Sequence, residues 1–283
     1  MGFGAIRFWL AVVCSMWSAT TVAQPLKIVT SIQPLALIVA ELLPDADIRV
    51  LVPPGANPHS YALKVSDRRA LSDADLVVWI GPGLEVFLQA VLTQEQPDRV
   101  VTVANIEGID WPVLPAAHDY EHSHHGAAGR DMHLWLNPAN ARVLLQAVAA
   151  KLPSVTWAEA DERLRQLDIQ LRAKMQALDL TTYGVYHDAY RHFTAHYDLP
   201  APVVVAPGAE QRPGAKHLYR VHQQLQRGSC LLVEPGQHNA LAEQVTAATG
   251  IKAITIEPLQ ASSYEALLQG IATAMVNCVA AGN

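Results

Sequence analysis

The stretch WAEADERLRQLDIQLRAKMQAL, residues 157–178, places apolar side chains at Trp157, Ala160, Leu164, Leu167, Leu171, Met175 and Leu178. Intervals of three and four put them on one stripe of an α-helix, and no Gly or Pro interrupts it. A helix of this length near mid-chain reads equally as one more core helix or as a strut between two lobes. What flanks it bears on the choice.

On both sides, short β-branched runs alternate with amphipathic segments, the signature of parallel α/β units. Before the stripe, strands are predicted at 27–31, 48–52, 76–80 and 100–103, and helices at 34–43, 67–72 with Ser66 as N-cap, 84–92 and 138–152. After it, strands are predicted to end at His187 and to span 203–206, 231–233 and 253–256, with a last helix over 263–279. The fold class is therefore α/β.

The N-terminus reads separately. Arg7 precedes the apolar run 8–17, and Thr21, Val22 and Ala23 offer a small-residue cleavage pattern, so residues 1–23 are expected to be a secretory signal peptide. The run is shorter than the roughly 20 apolar residues a bilayer span needs. Cys14 lies inside it after Val13, an unsuitable context for lipidation. With 51% hydrophobic and 16% charged residues the chain is globular in composition. Its net charge of −6 becomes −7 when the leader removes one arginine and no acid, which argues against a nucleic-acid surface and leaves cations attracted. Of three cysteines, Cys230 and Cys278 follow the leader, and an exported pair predicts a disulfide tying the last helix to the strand near 229–233.

Three histidines share one kind of setting. His59 closes the stiff loop Pro53-Pro54-Gly55-Ala56-Asn57-Pro58-His59, His133 stands in Asp131-Met132-His133-Leu134-Trp135-Leu136-Asn137-Pro138, and His187 ends a predicted strand. Each lies beside a short apolar run and a turn or helix start, where α/β proteins gather ligand groups. Neutral imidazole suits zinc, and a usual site has four ligands, so three histidines need a carboxylate or a water. Glu257 is the first candidate for the fourth place and Glu234 the second, both at strand ends.

A polar stretch, 107–130, holds His118, His122, His124 and His125, and reads as a mobile loop (115–130) with weak, exchangeable metal affinity. Low-complexity filler accounts for it equally well. His118-Asp119-Tyr120-Glu121-His122 also fits the H-x-x-E-H pattern of one class of zinc peptidases, with Glu121 as base. That chemistry needs a helix, and Pro112, Pro115, Gly126 and Gly129 argue against one. His192 and His196, four apart beside Phe193 and Tyr197, read as structural or surface groups, as do His217, His222 and His238. No nucleophile elbow, P-loop, dinucleotide fingerprint or H-E-x-x-H is present, which favours binding over catalysis.

The runs Pro54-Gly55-Ala56-Asn57-Pro58-His59-Ser60-Tyr61, Ser66-Asp67, Ala74-Asp75-Leu76-Val77-Val78-Trp79-Ile80-Gly81-Pro82 and Leu84-Glu85 resemble the periplasmic zinc-binding component of ABC importers. So do the stretch 131–138, Tyr186-His187-Asp188-Ala189-Tyr190 and Val233-Glu234-Pro235. The resemblance covers essentially the whole chain after the leader. It implies an N-terminal lobe (24–155), a long linking helix (156–180) and a C-terminal lobe (181–283), with the metal in the cleft held by His59, His133 and His187. It also implies a disulfide placed like Cys230 and Cys278, and a membrane permease with its ATPase as partner. The family usually has Asp where Glu257 stands, which leaves Glu257, Glu234 or water for the fourth position. Relatives that carry manganese tend to have a carboxylate at the third ligand position, so histidine at 187 favours Zn2+. The leading expectation is a periplasmic, monomeric zinc-binding protein that is not an enzyme. A secreted zinc hydrolase using the loop motif, and a manganese-binding or adhesin-type member of the same fold, are its alternatives.

Overall fold

The interior runs Leu76–Trp79 and Cys230–Val233 are apolar throughout because both of their faces are covered. β3 (Leu76–Trp79) and β7 (Cys230–Val233) are buried at every position, as expected of interior parallel strands. The computed structural model describes residues 24–94, 97–113, 130–206, 213–225, 230–236 and 240–282. The leader, the histidines at 118, 122, 124 and 125, Glu121 and His238 lie outside the described residues.

Two parallel sheets organise the chain. The first holds β1 (Lys27–Thr30), β2 (Asp47–Val50), β3 and β4 (Val100–Thr102) in the order β2-β1-β3-β4. Its helices are α1 (Gln33–Leu42), α2 (Val65–Asp73) and α3 (Val86–Leu92). Helices α4 (Pro138–Lys151) and α5 (Ala158–Gln176) follow. The second sheet holds β5 (Gly184–His187), β6 (Val203–Ala206), β7 and β8 (Lys252–Thr255) in the matching order β6-β5-β7-β8. Helices α6 (Arg191–His196), α7 (Ala215–Leu225), α8 (Ala240–Thr249) and α9 (Tyr264–Gly282) complete this lobe. In each sheet the chain runs from its first strand to a neighbour on one side and then crosses to the other. That reversal opens a crevice at the carboxyl ends of the strands.

The stripe that suggested a long helix is α5, 19 residues with Ala160, Leu164, Leu167, Leu171 and Met175 buried. It packs on α4 and α9. Near its start, Arg142 donates to Asp161 at 2.8 Å and Arg163 to Glu41 at 3.2 Å; near its end, Arg172 donates to His196 O at 2.7 Å and Lys174 to Thr273 at 3.2 Å. The helix is thus bonded to both halves of the molecule. One apolar core runs through both lobes, joining Ile28, Leu35 and Val78 to Leu167 and Leu171 and on to Val185, Leu232 and Leu268.

Helix α9 is long and apolar enough to cross a membrane by length and composition. Here Leu267, Leu268, Ile271, Ala272 and Met275 are buried, and the helix packs on β7, β8, α1 and α5. Cys278 is bonded to Cys230, as the pairing of exported cysteines predicted.

One local expectation needs correction. Ser66 is not the cap of α2: the helix starts at Val65, two residues before the expected start at 67, and Asp67 reaches back to accept the Lys64 N–H at 2.9 Å. The apolar run Leu134–Leu136 is a 3₁₀ turn, so His133 precedes a helix start, the setting its flanking residues suggested. Asn137 then caps α4 by accepting the Ala139 N–H at 2.8 Å, with Pro138 at the first helical position.

Candidate metal centre

His59 is held by a loop whose geometry its sequence dictates. Gly55 turns the chain with φ of 79°, a left-handed conformation open to glycine without steric cost. Asn57 Oδ1 then accepts the His59 N–H at 2.9 Å, closing an Asx turn. Beyond the histidine, the buried Asp67 carboxylate accepts from Tyr61 Oη and Lys64 N at 2.9 Å each and from Arg49 at 3.2 Å, anchoring the loop to α2 and β2. Burial alone would raise the Asp67 pKa, but the Lys64 N–H, Tyr61 and Arg49 outweigh it and hold the carboxyl below its usual range.

His133 is oriented by Asp131. One oxygen of that carboxylate accepts the His133 backbone N–H at 3.0 Å and lies 2.6 Å from its Nδ1. A carboxylate only accepts, so Nδ1 carries the proton and Nε2 is the free nitrogen. Burial opposes the Asp131 charge, yet the His133 ring and its hydrogen bonds bring the carboxyl down to about 2. The ring also packs on Trp135 at 5.2 Å, and Trp135 Nε1 donates across the molecule to Pro258 O at 2.8 Å.

His187 is the last residue of β5, and its Nδ1 meets Glu234 Oε1 at 3.1 Å, an oxygen that also accepts from Tyr190 Oη at 3.1 Å. Burial works against charge on His187, but the bond to Glu234 and that carboxylate's charge prevail, raising its pKa. His59 goes the other way. Removal of its ring from water, then the neighbouring His133 and His187 rings, pull it down to about 3, although part of the residue is exposed at the cleft mouth.

The three rings converge, with centroids 5.6 Å (His59–His133), 5.8 Å (His59–His187) and 5.1 Å (His133–His187) apart. One nitrogen from each lies within 4.8 Å of the others, and among the described residues no other three His, Cys, Asp or Glu are so gathered. They line a cavity of about 250 Å³ that Trp135, Glu234 and Glu257 also face. Glu257 spends Oε1 on the N–H groups of Leu259 and Gln260 at 2.8 and 3.1 Å. Burial raises its pKa, those bonds lower it, and Glu234 raises it further; the net direction is upward.

The remaining described histidines have structural partners. His196 bonds Asp168 at 2.8 Å, His217 the carbonyls of Val204 and Val205 at 3.0 and 3.1 Å, and His222 that of Ala248 at 2.9 Å. His192 is buried between the lobes. Three groups behind the rings went unread in the sequence: Asp131, Asp67 and Tyr190. Only Asp131, two residues before a candidate ligand, carried a local signal.

Two parallel α/β lobes with three imidazoles converging in the crevice between them define a metal-binding protein of the two-lobed kind. The chain belongs to the family described as zinc-uptake complex component A, periplasmic, whose model matches residues 28–278. It is 28% identical to the high-affinity zinc uptake system protein ZnuA of Yersinia pestis, over 93% of this chain and 95% of that one. To the protein of the same name in Haemophilus ducreyi it is 29% identical, over 94% and 96%. A crystal structure of ZnuA superposes with a TM-score of 0.74 at 21% identity, covering 90% of this chain and all of the other, a likeness that speaks to the fold alone.

Proposed function

We propose that this protein captures Zn2+ in the periplasm and hands it to an ABC-type permease and its ATPase, with His59, His133 and His187 as ligands. The observation that carries the reading is the pair of carboxylates behind the rings: Asp131 and Glu234 each occupy one Nδ1, presenting Nε2 of His133 and His187 to a cation. Metal-binding histidines commonly have such outer partners, which fix tautomer and orientation and raise ligand basicity. Three neutral imidazoles suit zinc better than manganese.

Zn–N bonds of about 2.0 to 2.1 Å in a tetrahedron set nitrogens about 3.4 Å apart. Within the 4.8 Å bound, the widest pair therefore closes by at most about 1.4 Å, a side-chain adjustment. Glu257 is the first candidate for the fourth ligand in this reading and Glu234 the second: Oε1 of Glu257 is held by backbone N–H groups, whereas Oε1 of Glu234 supports the His187 ring, and both carboxylates face the cavity. The lobes are assigned to 24–155 and 181–283 with 156–180 linking them, the histidines of 115–130 gather zinc for the cleft, and the protein acts as a monomer.

The test is a zinc titration by calorimetry with a competing chelator, on metal-stripped protein and on a variant lacking residues 118–125. One tight site is expected to survive the deletion and to weaken at least about 100-fold in His133→Ala, since an inner ligand matters more than the outer partners whose loss costs about 10- to 100-fold. Tight binding that vanishes with the loop and ignores His133 overturns the assignment.

A further inference from the structure

His192 stands on α6, five residues after His187, yet both of its ring nitrogens reach the first half of the chain. Nε2 lies 2.9 Å from Asp131 O, and Nδ1 lies 3.3 Å from Asn140 Nδ2 on α4. The Asn140 amide is oriented independently, because its Oδ1 accepts the Asp110 N–H at 2.7 Å. Its Nδ2 therefore donates to Nδ1, and Nε2 donates to the Asp131 carbonyl. Both ring nitrogens are satisfied by one neutral tautomer in a residue only 1% exposed. Burial lowers its pKa, more than the nearby Asp131 raises it, in keeping with that tautomer.

The contact is well placed to matter. The residue whose carbonyl it holds, Asp131, is the one whose carboxylate orients His133. Around it, α6 packs on the turn Leu134–Leu136, and the Trp111 ring lies 5.9 Å from His192. The segment 187–192 thus carries a cleft imidazole at one end and, at the other, a bond that fixes a second imidazole's support.

We propose that His192 is a positioning residue for zinc: its bond to the Asp131 carbonyl registers one lobe against the Asp131–His133 pair of the other and so sets how long the cleft retains the ion. This rests on the reading that His133 is a ligand. Two substitutions separate the ring's bonds. In His192→Gln the side-chain amide reaches the place of Nε2 and keeps a donor for Asp131; in His192→Asn the shorter amide reaches only the place of Nδ1 and keeps the partner of Asn140.

The experiment measures zinc affinity by chelator competition, zinc release by stopped flow, and the melting temperature of metal-free protein. His192→Asn is expected to weaken binding about 10-fold, the lower end of outer-partner effects, through faster release, while His192→Gln stays near wild type. Equal zinc affinity in both variants and wild type, with only a lower metal-free melting temperature, overturns the proposal. Equal weakening in both does so too, because the Asp131 contact is then not the cause. If the Asn variant does not fold, His192→Phe, which fills the space without a donor, takes its place against Gln. His133→Ala is run beside them: full zinc affinity there refutes the ligand reading, whereas its loss with an unaffected His192→Asn refutes this inference alone.

Discussion

Glu85 has no exposed surface, and its carboxyl accepts from Gly81 N at 2.9 Å, Ile80 N at 3.4 Å and the Ser31 hydroxyl. Burial pushes its pKa up from 4.5 to about 7, against the pull of those bonds. The folded state therefore holds this proton more tightly than the unfolded chain does. The resulting stabilisation is fully present below about pH 4.5 and is lost as the pH rises through about 7. At about 1.4 kcal/mol per pH unit, the loss is about 3 kcal/mol, a large part of an ordinary domain's stability. Urea unfolding of metal-free wild type and Glu85→Gln, at steps from pH 4.5 to about pH 8, isolates the residue. The wild type should lose about 3 kcal/mol relative to the variant across that range. A difference that stays flat with pH refutes the argument.

Two further outcomes follow from the site and its support. Glu234→Ala removes the acceptor of His187 Nδ1 and should weaken zinc binding about 10- to 100-fold in a chelator competition, and Glu257→Ala should weaken it more. No change in the second variant would mean that Glu234 or water completes the ligand set. Replacing Cys230 and Cys278 by serine opens a 48-residue loop, and chain entropy puts the cost at about 4 kcal/mol in urea unfolding, with zinc affinity unchanged.

The parts of this fold that were legible in the sequence are those whose burial leaves a one-dimensional trace. Interior parallel strands such as Leu76–Trp79 are apolar at every position, and the α5 stripe repeats at helical spacing. Helix α8 went unread for the opposite reason: it buries only Ala242 and Val245, too little to mark a face. Helix α7 was missed although Leu218, Val221 and Leu225 recur at helical spacing. At the cleft, imidazoles beside turn residues suggested ligands, and the structure brings His59, His133 and His187 together. Their supports were hidden because they depend on pairings such as His187 with Glu234, 47 residues apart.

The apolar core that continues from β1 through α5 to α9 bears on how the cargo leaves. Lobes divided by a wet cleft and tied by a flexible tether can swing apart at little cost, but these share a dry seam. Every 100 Å² of it wetted by a swing costs about 2.5 kcal/mol. Motion is therefore cheaper at the rim, in the segments 55–59 and 257–260 that border the cavity, than in the lobes as bodies. Unloading then resembles lifting a latch more than opening a jaw.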